Sequence, residues 1–193
     1  LLVRTLKLWD VWDMGFRISW IGFNGLDRQE CLARLHMRET QEIDEAQEEP
    51  FSLAQLPNNW IVLFANDFEY VSDKRLAELS TGATVIGCRV HEGVMYSDVA
   101  LYNAGRKMWS VSHYAGDGAL DLKIEGQPPA EVLTLRDTLL EKQRSAGATS
   151  EVDHVFDVPV EAAQLVTSYR YDQWKFDWGE PIFHVLKVER SGR

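Results

Sequence analysis

The sequence predicts an α+β fold, a mainly antiparallel sheet of about five to seven strands packed by one long helix and several short ones. Three observations carry this. In the hairpin Met95 to Tyr114, apolar and polar residues alternate on both sides of Asn103-Ala104-Gly105, the period of a half-buried strand pair closed by a loop in which Gly takes positive φ. Around it, Thr84 to Val90, Val94 to Tyr102, Lys107 to Tyr114 and Leu120 to Glu125 read as strands whose short connections forbid a parallel crossover, so a meander is expected. After Gln127-Pro128-Pro129, which ends the last strand, Ala130 to Arg144 sets Val132, Leu135 and Leu139 beside Leu133 and Leu140, an apolar stripe wide enough to lie on a sheet.

The remaining elements follow in order. Residues 1–9 alternate loosely and permit an edge strand. Gly15 to Phe23 is aromatic and β-branched and stops at Asn24-Gly25, a strand signature. Asp27 to Glu30 fits a capping box for a helix with Cys31, Leu32 and Leu35 on one face, ending near Met37. Glu39 to Glu49 then holds six acids, no Lys or Arg and one large apolar residue, Ile43; it cannot bury enough surface to order itself, so a mobile acidic loop is expected. Phe51 and Leu53 return to the core. Trp60 to Phe64 is a continuous apolar run, hence a strand buried on both faces. Ser72 caps a short helix bearing Leu76 and Leu79, with Gly82 placed as its left-handed C-terminal cap. Residues 145–150 read as a flexible connection, and Glu151 to Val158 alternates briefly. Val160 to Thr167 suits a short helix entered through Pro159, with Ala162, Ala163 and Val166 inward. The aromatic tail ends in a last strand from Pro181 to Leu186. No fixed-period repeat is present, and all 193 residues read as one domain.

Composition narrows the function classes. A hydrophobic share of 45% and a charged share of 26% are those of an ordinary globular protein. The net charge of −10 and pI of about 5.0 argue against nucleic acid and anionic membranes, which need clustered Lys and Arg, and favour a basic protein partner. Cys31 and Cys88 stand far apart with no CxxC, which suggests buried thiols rather than a disulfide framework or zinc site. No run reaches the roughly 18 apolar residues of a membrane span, and the first residues lack a signal-peptide core, so a cytoplasmic setting is expected.

Chemical motifs are mostly lacking. His91-Glu92-Gly93-Val94-Met95 begins like HExxH, but Met stands where the second His must be, in a β region. There is no GxGxxG, GxxxxGK[ST] or GxSxG, and Asp117 and Asp121 lack calcium-loop spacing. Dispersed candidates for acid–base or metal chemistry are His91, Glu92, His113, Asp153 and His154, with Asp157 nearby; a hydrolase would need at least two of His91, His113 and His154 to converge. No metal site or cofactor is implied. Candidate partner-binding residues are Glu42, Asp44, Glu45, Glu48 and Glu49 in the acidic segment, with Trp174 and Trp178 in the tail. In an extended tail Trp174, Phe176 and Trp178 would share one face, to be covered by the chain itself or, in a homodimer, by a second copy.

In its size, acidity and lack of a catalytic signature the chain resembles the immunity proteins with which bacteria neutralise toxins, a likeness that carries no motif and assigns no residue. An acidic module that covers a basic surface of another protein is therefore the expected function, with the dispersed-residue hydrolase as the alternative.

Overall fold

A strand order that no local pattern announces sets the architecture: β2 (Met37–Ile43), β9 (His184–Val188), β3 (Phe51–Gln55), β4 (Ile61–Ala65), β1 (Arg17–Asn24), β5 (Thr84–His91), β6 (Tyr96–Asn103), β7 (Arg106–Tyr114) and β8 (Lys123–Gly126) lie side by side in that order, antiparallel at every pairing. The computed structural model describes residues 15–147 and 152–189; the edge strand expected over residues 1–9 and residues 148–150 of the connection expected at 145–150 lie outside them. Among the described residues four α-helices complete the α+β fold, α1 (Arg28–Leu35), α2 (Asp73–Leu79), α3 (Ala130–Ala146) and α4 (Asp157–Thr167).

The centre of the sheet is β1 (Arg17–Asn24) between β4 (Ile61–Ala65) and β5 (Thr84–His91). Every residue of β4 is buried, as its unbroken apolar run demands. One face of the sheet presents Ile18, Trp20, Val62, Phe64, Cys88 and Val99 to α3 and α4; the other presents Ile21, Phe23, Leu63, Val85 and Tyr102 to α1 and α2. The meander closes through β6 (Tyr96–Asn103), β7 (Arg106–Tyr114) and β8 (Lys123–Gly126). Asn103 pairs with Arg106, so Ala104 and Gly105 form a two-residue turn in which both have positive φ, the turn whose twist suits a hairpin.

Capping follows side-chain chemistry. The Asp27 carboxylate accepts from the Glu30 N–H at 2.8 Å and starts α1. Glu30 does not reach back to the cap but pairs with Arg34 one turn on, and α1 ends at Leu35, two residues early, because His36 turns left-handed. Ser72 caps α2 as expected, whereas the helix ends at Ser80 and Gly82 serves the following turn. Over residues 152–158 the expected alternation forms no strand. Asp153 accepts from the N–H groups of Val155 and Phe156, folding the chain into α4 with Pro159 in its first turn, where no N–H is needed.

The largest correction concerns the acidic segment expected as a loop over 39–49. Its first part belongs to the edge strand β2 (Met37–Ile43), which pairs with β9 (His184–Val188) through Met37↔Val188, Arg38↔Lys187 and Glu39↔Leu186. Arg28 forms an ion pair with Glu39, and Lys187 lies 3.8 Å from Glu42, so partners supplied across the fold offset the poor strand propensity of acids. β9 fills the slot between β2 and β3 (Phe51–Gln55). The β2–β3 connection, residues 44–50, must therefore pass over the start of β9. That crossing positions the candidate site.

Candidate functional site

Where residues 44–50 cross the start of β9, the Asp44 N–H donates to the Phe183 carbonyl at 2.9 Å, tying the acidic turn to the aromatic tail. Asp44 is not the solvated acid that its neighbourhood in the sequence suggests. It is 6% exposed, and its Oδ1 accepts from the N–H groups of Glu48 and Glu49, which winds the turn around it. Gln47 adopts positive φ and buries its amide, donating to the Tyr169 hydroxyl at 2.9 Å. Tyr169 packs edge-on against Trp20 and at a tilt against Phe183, and burial raises its phenol pKa. Asn66, which follows β4, donates to the carbonyls of Glu48 and Pro50 and fixes the far side of the turn.

A groove of about 470 Å³ opens between turn and tail. Tyr169, Gln47 and Phe183 are buried side chains of its lining, Ile43, Pro181 and Ile182 supply apolar walls, and Trp174, Glu45 and Glu180 stand at its margin. Ile43, Trp174 and Ile182 are 54%, 52% and 59% exposed, so three of the large apolar residues that the described fold leaves in water meet at this one place. Among the described residues, no Lys, Arg or His forms an ion pair with Asp44, Glu45, Glu48, Glu49 or Glu180. The Oδ2 of Asp44 is buried and, among the described residues, has no hydrogen-bond partner.

The residues singled out for partner binding thus divide. Asp44, Glu45 and Trp174 line the groove; Glu48 and Glu49 lie exposed on the same turn, while Glu42 is exposed on β2. Trp178 belongs to the structure of the tail. It stacks on Phe176 at 4.7 Å with the rings nearly parallel, and its indole N–H donates to the Ser168 carbonyl. The tail is not extended here: Phe176 and Gly179 exchange both backbone hydrogen bonds across a tight turn, so the shared face expected for Trp174, Phe176 and Trp178 does not form. Phe176 is buried in the main core, and of these three Trp174 alone projects at the groove. Gln47, Tyr169 and Ile182 are site residues that the sequence did not single out. Only the non-local placement of β9 brings them to the acidic turn.

Of the acid–base candidates, His113 and Asp153 meet, Glu92 is tied into the fold elsewhere, and His91 has a buried Nδ1 without a hydrogen-bond partner among the described residues. His91 pairs with Tyr96, and His113 with Ser97, its neighbour on β6; since successive strand residues face opposite ways, the two imidazoles lie on opposite faces of the sheet. This corrects the convergence that a His91–His113 site requires. Glu92 has both oxygens engaged, accepting from the Phe16 N–H at 2.9 Å and the Tyr171 hydroxyl at 2.7 Å, an arrangement that joins the start of β1 to the tail. The His113 side chain is fully buried. Its Nε2 lies 3.0 Å from Asp153 Oδ2 and its Nδ1 2.5 Å from the Asp121 carbonyl, two acceptors that only the doubly protonated ring satisfies together. Burial alone would lower its pKa, but Asp153 and the Asp121 carbonyl raise it above the ordinary 6.5; burial opposes ionisation of Asp153, yet His113 and two backbone N–H groups hold it below 3.8. With both ring nitrogens occupied, His113 offers no free lone pair as a base or metal ligand. His91 packs edge-on to Phe68, and the His154 backbone N–H donates to the Gln143 side chain of α3. Among the described residues, no three His, Cys, Asp or Glu side chains gather to hold a metal ion.

The two cysteines are buried thiols whose pKa burial raises, Cys31 to about 12, which leaves neither as a ready nucleophile. No helix among the described residues is long and apolar enough to cross a membrane. Compared with family models, curated proteins and solved structures, the chain matches none.

Proposed function

We propose that this chain is an acidic protein-binding module whose contact surface is the groove between residues 43–47 and the tail, and that its partner presents a basic surface. The observation that carries the reading is the meeting, on one side of the fold, of exposed apolar side chains and carboxylates to which the described residues supply no cation. Exposed aromatic and aliphatic residues supply the desolvation energy of an interface, and uncompensated acids choose the sign of the partner. An immunity-type role, in which the chain caps a basic functional surface of another protein, is the form of this reading that its size and net charge favour.

The test is comparative capture with the immobilised chain at low and raised salt. Wild type retains a basic partner at low salt and releases it as salt rises, and Trp174→Ala or the pair Glu45→Gln and Glu180→Gln loses it. Capture that ignores both salt and these substitutions overturns the reading.

A further inference from the structure

We propose that the groove is built to receive the guanidinium of an arginine side chain carried by the partner, a deepening that rests on the protein-binding reading above. The starting point is the charge that the fold leaves unmet. Asp44 is buried at the groove, Oδ1 is used by the turn, and Oδ2 has no donor among the described residues. A buried carboxylate lacking half its hydrogen bonds is costly, and no cation of the described residues pairs with it to offset that cost. Glu45 and Glu180 add two further carboxylates at the margin. A cation is the ligand that this set recruits, and in a partly water-excluded groove its attraction is stronger than on open surface.

The other walls choose among cations. Trp174 offers an exposed indole, the best aromatic surface for a cation. Ile43, Pro181 and Ile182 offer an apolar lining for a methylene stem, and the volume of about 470 Å³ admits a long side chain with the backbone on either side of it. A metal ion would gain nothing from these walls. A lysine ammonium keeps its hydration more tightly and has no plane to stack, whereas a guanidinium is flat, weakly hydrated and charged at every physiological pH. The chemistry of the groove therefore favours arginine over lysine, and either over a neutral group of the same shape.

The probes are N-acetyl-arginine amide, its lysine counterpart and its neutral citrulline counterpart, titrated into the ¹⁵N-labelled full chain. The indole N–H signal of Trp174, assigned by loss in Trp174→Phe, and the amides of residues 44–48 report binding. Arginine gives saturable shifts at these signals, lysine binds about fivefold more weakly, and citrulline gives no saturable shift. Asp44→Asn keeps an Oδ1 acceptor for the turn and weakens arginine binding about tenfold. Should that variant unfold, the exposed pair Glu45→Gln and Glu180→Gln tests the same charge dependence, with a loss of about threefold or more expected. Equal binding of arginine and citrulline, or charge variants that bind as wild type does, overturns the proposal. So would shifts of these same signals with chain concentration alone, which would assign the groove to a second copy. If the arginine probe fails while capture of a basic partner still depends on Trp174, the guanidinium assignment falls and the protein-binding reading stands; if both fail, both fall.

Discussion

The groove at Asp44 and the buried pair at His113 contain similar chemistry and have opposite status. Each joins a buried or half-buried carboxylate to a loop and to a distant part of the chain. At His113 every polar atom has a partner: Nε2 faces Asp153, Nδ1 faces the Asp121 carbonyl, and the other Asp153 oxygen is taken by the turn into α4. At Asp44 one oxygen has none among the described residues, and exposed apolar side chains stand around the same groove. Between these two places, unspent hydrogen-bonding capacity together with exposed apolar side chains, rather than the presence of His and Asp, separates the one free to bind from the one that holds the fold.

Substitutions can break that contrast, and the largest effects belong to the satisfied site and to the main core. His113→Leu leaves the Asp153 carboxylate without its buried partner and costs about 3 kcal/mol of unfolding free energy by denaturant titration, with groove binding unchanged. Phe176→Ala, which empties a place in the main core, costs about 3 kcal/mol as well. Loss of under about 0.5 kcal/mol in either would show that the pair or the tail is peripheral to the fold.

The next effect is smaller and runs with pH. Because His113 is held above 6.5, its contribution is complete below that value and is lost as pH rises through its native pKa. Asp153, held below 3.8, contributes above that value and loses its share as pH falls through its lower native pKa. The stability gap between wild type and His113→Leu is therefore widest between 3.8 and 6.5 and narrows toward alkaline pH. A gap that grows with rising pH would mean the imidazole is neutral in the native state. The smallest effect is at the groove: Trp174→Ala changes stability by less than about 0.5 kcal/mol, since its ring is half exposed, while it removes binding. Removing the chain after Tyr171 is not the milder version of this experiment. It deletes β9 from between β2 and β3 and is expected to unfold the protein.

Much of the fold was legible because local physics wrote it. The β6–β7 hairpin follows from alternation around Ala104-Gly105, β4 from its unbroken apolar run, α1 and α2 from Asp27 and Ser72, and α3 from its stripe. What was not legible depended on contacts distant in sequence. Nothing in Met37–Ile43 marks a strand, because Arg28 and the ladder of β9 supply its stability from outside. Of the candidate site, the two halves were visible separately, as an acidic segment and an aromatic tail. Their meeting was not, since it follows from β9 lying between β2 and β3. Asp44 read as one acid among six and proved to be the buried centre of the turn.

The most direct test of the central claim is to map where a basic ligand touches the folded chain. With an arginine-rich peptide titrated into the ¹⁵N-labelled protein, saturable amide and indole shifts are expected, confined to residues 43–48 and to the tail around Tyr169, Trp174 and Ile182. Shifts centred on His91, His113 or His154, or small shifts scattered over every exposed carboxylate without saturation, would contradict it.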